Sequence, residues 1–219
     1  MPTNQLYAEK NSSYYGLVRE EILVLIPKNA RRLLDVGCGS GDTSRAAKDR
    51  LGLQEAVGIE LFESAASAAR TKLDRVIVGA IEELELDFSE GYFDCILCAD
   101  VLEHTKDPWL NLKKLRQFLA DDGVLIVSLP NLRHVVPVLK IIFDRLEYEE
   151  SGILDKTHLR FFTLHTMRNM FRETGFTIQQ IETNRSRSWK FKLLNLFSLG
   201  LLRPFSVFQY IFVLKKQNI

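Results

Sequence analysis

Three cysteines, six prolines, four histidines and two tryptophans are all that a 219-residue chain holds of those types. An odd cysteine count without paired spacing excludes a disulfide-stapled scaffold and points to a reducing compartment. Cys95 and Cys98 do spell C-x-x-C, but inside the apolar run Phe93–Ala99. On a strand, positions three apart face opposite sides, so the pair reads as two core residues rather than a zinc or redox site. No stretch is rich in proline, glycine and serine, which removes collagen-like and linker architectures. Hydrophobic residues at 46% and charged residues at 26% are incompatible with a disordered chain. The start, Met1-Pro2-Thr3-Asn4-Gln5, lacks a basic leader followed by an apolar core, so a cytoplasmic location is expected.

Acidic residues are missing from one end. None follows Glu182, whereas Arg185, Arg187, Lys190, Lys192, Arg203, Lys215 and Lys216 do. The preceding residues then hold 22 bases and 28 acids, a net charge of −6 hidden in a whole-chain value of +1. A body of that sign repels a polyanion, which counts against nucleic acid as a partner.

What is present alternates. Arg32–Val36, Ala56–Glu60, Arg75–Val78, Phe93–Ala99 and Val124–Leu129 read as strands, the last after a turn at Asp121-Asp122-Gly123. Asp42–Leu51, Glu63–Leu73, Pro108–Leu119 and Leu164–Glu173 have helical period, and Tyr14–Ile26 reads as an amphipathic helix stopped by Pro27. Phe176–Glu182 and Val207–Leu214 complete the strands. Strand–helix alternation at this spacing predicts an α/β fold, a mostly parallel sheet with helices on both faces, in one domain spanning 1–219. Residues 131–162 fall out of step, rich in aromatics and histidines, and read as an insertion that caps an acceptor.

Leu33 to Asp42 is an apolar strand running into glycines at 37, 39 and 41 and then a helix. The spacing is not that of a dinucleotide fingerprint, and there is no Gly-Lys-Ser/Thr for a phosphate loop. Asp42 in the first helical turn disfavours a pyrophosphate at that helix end. A cationic ligand without phosphate suits Asp35 and Glu60 better, and a carboxylate closing a second strand can accept ribose hydroxyls. The strings Asp35-Val-Gly-Cys-Gly-Ser-Gly41, Val57-Gly-Ile-Glu60 and Phe93-Asp-Cys-Ile-Leu-Cys-Ala-Asp-Val-Leu-Glu-His104 resemble, in order and spacing, the class I S-adenosylmethionine-dependent methyltransferases. The likeness runs from Tyr14 to Leu214, to small-molecule enzymes of the type 11 and 23 kind.

That resemblance implies a Rossmann-like, doubly wound, seven-stranded sheet whose last strand is antiparallel. It implies S-adenosyl-L-methionine as cofactor and S-adenosyl-L-homocysteine as product. By position, Asp35, Gly37, Cys38, Gly39 and Gly41 would surround the methionine and ribose, Glu60 hold the ribose and Leu61 pack on the adenine. Relatives often carry Gly-Asp where this chain has Gly79-Ala80, so the adenine contact passes to Ile81 or Glu82. Asp100 would border the amino-acid end, and Tyr14 would close over the cofactor.

A sulfonium methyl is already electrophilic, so alignment and exclusion of water are the main tasks, with a base needed only for a hydroxyl of high pKa. His104 and His158 are the candidate bases. No metal is expected, since Asp100 is also wanted by the cofactor; the alternative is that Asp100, Glu103 and His104, as D-x-x-E-H, share one face of a helix and hold a divalent cation. His158, Arg160 and Tyr148 are candidates for acceptor binding, within a string 151–163 that resembles one common in bacterial members tied to saccharide pathways. The same string has a structural reading: Thr163 caps the next helix, Phe161 and Phe162 are core, and Arg160 pairs with Asp155. A hydroxyl on a small molecule, either a saccharide or a lipid-linked or quinone-like precursor, is the expected acceptor. A noncatalytic cofactor binder and a modifier of protein or nucleic acid are the alternatives. Quaternary state is left at monomer or dimer.

Leu193–Leu214 has one charge in 22 residues, but Arg203 and Pro204 stand at its centre. An arginine at mid-bilayer costs about 2.5–3.5 kcal/mol, so no span is expected. Residues 188–203 read instead as an inserted helix, packed in the core or, through the basic and aromatic stretch 185–203, lying on a membrane surface.

Overall fold

In a computed structural model, which describes residues 18–185, 200 and 202–217, seven strands form one sheet. They are β1 (Arg32–Val36), β2 (Glu55–Glu60), β3 (Arg75–Val78), β4 (Phe93–Ala99), β5 (Leu119–Pro130), β6 (Phe176–Arg185) and β7 (Val207–Lys216). Their order is β3-β2-β1-β4-β5-β7-β6. The first five run parallel, β7 is antiparallel to both neighbours, and β6 therefore points with the rest. The expected architecture is what the chain adopts. β7 starts at the carboxyl ends of the other strands, which puts Val207–Gln209 beside the mouth of the sheet.

The period of two divides the core. Leu34, Val36, Ile96 and Cys98 pack on one face, Leu33, Cys95 and Leu97 on the other. The C-x-x-C pair is thereby separated by the sheet, and all three cysteines are free and buried. Helices α1 (Glu20–Leu23) and α2 (Asp42–Leu51) cover the second face through Ile22, Leu23 and Ala47. On the other side, α4 (Pro108–Phe118) and α6 (Leu164–Glu173) contribute Leu112, Leu115, Met167, Met170 and Phe171. Ala69 of α3 (Glu63–Ala69) packs with Cys38, Ala56 and Leu73. Local chemistry fixes the ends: the Asp107 side chain accepts from Leu110 N with Pro108 in the first turn, and Thr163 and Thr166 form a reciprocal capping box.

Four expectations change. Helix α3 stops at Ala69 rather than Leu73, because Thr71 N and Lys72 N bond three residues back, to Ala68 O and Ala69 O, and tighten the end. The turn at Asp121-Asp122-Gly123 is absorbed into β5: Phe93 faces Leu119 and Cys95 faces Val124, so the intervening residues bulge without leaving the strand. Within 131–162 lies a helix not foreseen, α5 (Val135–Ile142), whose Pro137 sits in the first turn where it costs no hydrogen bond. Of the expected helix Tyr14–Ile26, the described part is helical over Glu20–Leu23 only. The inserted helix at 188–203 lies almost wholly outside the described residues, and its described end, Arg203–Ser206, is a 3-10 turn. Among the described residues no helix is long and apolar enough to cross a membrane.

Phe171 is fully buried and meets Phe212 edge-on at 4.9 Å between ring centres, tying α6 to β7. Phe171→Ala is expected to cost about 3–5 kcal/mol in urea denaturation, whereas Leu110→Ala, at a position 59% exposed on α4, stays within about 0.5 kcal/mol. Equal losses at the two positions would contradict the packing.

Candidate functional site

The strand order reverses between β1 and β4, and in open α/β sheets ligands bind beyond the strand ends at that point. A cavity of about 910 Å³ opens there, at the upper end for a small-molecule site and large enough for a cofactor plus a modest acceptor. Its floor is the loop after β1. Gly37 N and Cys38 N donate to Ile59 O at 2.8 and 3.0 Å, and Gly39 N donates to Glu60 Oε2 at 2.8 Å. The loop leaves β1 yet stays fastened to the end of β2. Gly37 needs its lack of a side chain twice: φ is +73°, and a Cβ would lie 2.5 Å from Val101 Cγ2.

Glu60 is almost fully buried, with Oε1 accepting from Phe62 N at 3.0 Å. Burial pushes its carboxyl up against the pull of these backbone donors. A carboxylate has about four acceptor positions, so two backbone bonds leave room for ribose hydroxyls. Asp35, ending one residue before the loop, accepts from Ser44 Oγ of α2. Burial pushes Asp35 up to about 7; the Ser44 bond opposes this, Glu60 adds to it and Arg19 counters. Leu61, Ile81 and Glu82 line the cavity wall, with Glu82 Oε1 accepting from Lys106 N at 2.8 Å. Gly41 does not line the cavity: at φ +79° it starts α2, and a Cβ there would press on the Ala69 backbone at 3.3 Å. Tyr14 lies outside the described residues.

Asp100 follows β4 in a left-handed conformation, φ +58°, uncommon for a residue with a side chain. A network holds it: Arg19 donates to Oδ2 at 2.6 Å, while Ser128 Oγ at 3.0 Å and Gln209 Nε2 donate to Oδ1. Burial works against the Arg19 charge, but Asp100 and Glu21 overcome it and hold the guanidinium above its ordinary value. Arg19, Gln209, Phe208 and Asn184 all line the cavity and no motif announced them. Only the antiparallel placement of β7 could have signalled two of them.

The acceptor candidates part company. Glu103 O accepts from Leu159 N at 2.8 Å and Arg160 N at 3.0 Å, drawing the 155–160 segment across the end of β4. It is Leu159 that reaches the cavity wall; His158, Arg160 and Tyr148 do not line it. Arg160 donates to Lys106 O at 2.6 Å rather than pairing with Asp155, and Tyr148 is 67% exposed against Phe161. His158 is buried, its Nδ1 3.0 Å from Ile153 O. His104 does line the cavity, its Nδ1 3.2 Å from Thr157 O.

The D-x-x-E-H trio also divides. Leu102–His104 is a 3-10 turn and Asp100 is held by Arg19, Ser128 and Gln209, so the three side chains do not share a face. Glu103 and His104 gather instead with His158.

Seven residues lining the cavity are acidic and two, Arg19 and Lys106, are basic. That balance repels polyphosphates and suits a ligand with a sulfonium and an ammonium, and the bare Gly37 backbone lets it approach. S-adenosylmethionine fits this set of lining groups.

The raised pKa of Asp35 has a stability signature. The folded chain keeps its proton up to about pH 7, the unfolded chain only to about 3.8, so the fold binds the proton more tightly in between. The Asp35 contribution to the stability of the cofactor-free protein should fall as pH rises from about 4 to about 7. Asp35→Asn should flatten part of the slope, leaving the parts from Glu60 and Glu103. Denaturation of both proteins from pH 5 to pH 8 checks this; superimposable slopes would refute it.

The methyltransferase domain family matches residues 7–181. A ubiquinone biosynthesis O-methyltransferase of Azorhizobium caulinodans is 36% identical over 164 residues, covering 72% of this chain and 63% of the relative. A demethylmenaquinone methyltransferase of Bacillus cereus is 23% identical over 184 residues, 75% of this chain and 77% of that protein. The chain thus spans less than two thirds of the first relative's length. Among solved structures, an S-adenosylmethionine-dependent methyltransferase from Archaeoglobus fulgidus superposes with a TM-score of 0.67 at 20% identity, covering 90% of this chain and 91% of that one. With the strand order, the glycine loop and the acid at the end of β2 in place, this chain belongs to the methyltransferase domain family, within the class I S-adenosylmethionine-dependent enzymes.

Proposed function

We propose that this chain methylates a hydroxyl of a small acceptor with a flat or apolar body, a quinone-like precursor in preference to a saccharide. The observation that carries the reading is His104 at the cavity wall. A carbonyl oxygen can only accept, so Nδ1 facing Thr157 O carries the hydrogen, and Nε2 is the ring's basic nitrogen. Leu159 and Phe208 supply apolar surface on the same wall. The names of the two relatives, one of ubiquinone biosynthesis and one of demethylmenaquinone methylation, favour a quinone-like acceptor.

Bound S-adenosylmethionine supplies an electrophilic methyl group. Glu60, Asp100 and Arg19 hold its two ends, which fixes the direction of the methyl without covalent help from the protein. The wall of Leu159 and Phe208 keeps water off the acceptor. His104 takes the hydroxyl proton as the oxygen attacks.

Thermal melting with S-adenosylmethionine should raise the midpoint and NAD should not, since a ligand stabilises only the state it binds. Radiolabelled methyl from the cofactor, offered to a cell extract, should enter the organic-soluble metabolite fraction. Label in protein or RNA would overturn the acceptor class. With the captured acceptor, His104→Asn should lower kcat about 10²–10⁴-fold with little change in cofactor affinity. A variant of undiminished kcat would remove His104 from the chemistry.

A further inference from the structure

The cavity wall beyond Glu60 is a turn rather than a helix or a strand. Five consecutive residues, Gly79 to Glu83, line the cavity directly after β3. Gly79 N donates to Glu60 O at 2.9 Å, so a ligand that reaches Glu60 lies beside this segment. The chain then closes on itself: Glu83 N and Leu84 N both donate to Ala80 O, and a Cβ on Gly79 would meet Leu84 Cδ2 at 2.8 Å. Those contacts shape the turn, but they do not anchor it to another element.

Side chains do that, and both fastenings run to α4. The Glu82 carboxylate accepts from Lys106 N at 2.8 Å and Asp107 N at 3.2 Å, just before the helix begins. About two turns further along, the Lys114 ammonium donates to Ile81 O at 2.8 Å and to Leu84 O. An ammonium carries three donors and no acceptor, so one side chain serves both carbonyls. Lysines ordinarily stand in water; this one is half-buried, and burial lowers its pKa against the pull of Glu85. Lys114 does not itself line the cavity. Leu112 and Leu115 on the same helix are fully buried, which makes α4 a fixed support.

We infer that Lys114 is a positioning residue for the cofactor: from behind the wall it fixes Ile81 and its neighbours in the shape that S-adenosylmethionine and S-adenosylhomocysteine meet. The inference goes beyond the proposed acceptor and does not depend on it. Charge-assisted bonds from one ammonium to two carbonyls hold a turn more firmly than its backbone bonds alone. Firmness matters because a wall that is already in place leaves less to be ordered when the ligand binds. Without the ammonium, Ile81 O and Leu84 O lose their anchor and only the Glu82 fastening remains. Binding must then reorder the wall, and affinity falls although no atom of Lys114 faces the ligand.

Calorimetric titration with S-adenosylhomocysteine needs no acceptor. Lys114→Met keeps the apolar stem and removes the donors, and its Kd is expected to rise about 10–100-fold. Lys114→Arg still offers two donors and should stay within about 3-fold of the wild-type value. Lys113→Met, at the exposed neighbour, should leave the Kd unchanged. An unmoved Kd in Lys114→Met, even with a lowered melting point, would reduce the residue to a structural one and overturn the inference. So would an arginine variant that binds no better than the methionine variant. Hydrogen exchange on the cofactor-free wild-type protein needs no variant to fold: the amides of Glu83 and Leu84 should be protected, and exchange at the rate of an unstructured peptide refutes the fastening. Failure of the wild-type protein to bind S-adenosylhomocysteine at all rejects the cofactor and this inference together, whereas binding indifferent to Lys114 rejects the positioning role alone.

Discussion

The fastening of the 37–39 loop to the end of β2 is the constraint on which the site depends. A chain leaving a parallel strand loses its ladder partners and must satisfy its backbone elsewhere. Here two N–H groups turn onto Ile59 O and a third onto the Glu60 carboxylate. Each such bond contributes about 1 kcal/mol, and more where the acceptor is charged. The result is a loop that stays open toward the ligand while remaining rigid. The same contacts hold the Glu60 carboxylate at the cavity wall, so the floor of the cavity and its buried acid are one structure. Gly37 follows from this, since Val101 from the end of β4 occupies the space a side chain would need.

Charge is the second theme. Asp35, Glu60 and Glu103 are all buried, and burial raises all three. Buried carboxyls without compensating cations destabilise a fold. Asp35 and Glu60 both line the cavity, which is intelligible if a positively charged ligand supplies the compensation when it binds. Arg19 compensates in part: it crosses from the segment before α1 to Asp100 and Gln209, joining β4 and β7 at the mouth of the cavity. It also helps hold Asp100 in its left-handed backbone.

Much of this was legible in the residues themselves. The glycine loop, the acid closing β2 and the end of β4 occupy the places their spacing indicated, because each depends on strand–turn geometry within a few residues. The boundaries of β1, α2, β3, β4 and α6 follow from period and punctuation in the same way. The region 131–162 could be marked as out of step but not folded on paper. There the chain has no period, and its course is set by Glu103 O, a backbone atom some 55 residues away that leaves no trace in side-chain type. That contact sends Leu159, and not its neighbours His158 and Arg160, to the cavity wall.

The sequence alone determined the alternating sheet, the cationic and phosphate-free character of the ligand, and the identity of the groups at the ends of β1, β2 and β4. Those properties reside in local patterns, where residue type and spacing act over one strand and one turn. Only the tertiary structure decided which distant side chains share a space. It brought Arg19 and Gln209 to Asp100, separated Asp100 from Glu103, and placed His158 beside His104. Such meetings depend on the path of the backbone between elements, and pairwise contacts across long loops are fixed by packing and hydrogen bonding that no short string encodes.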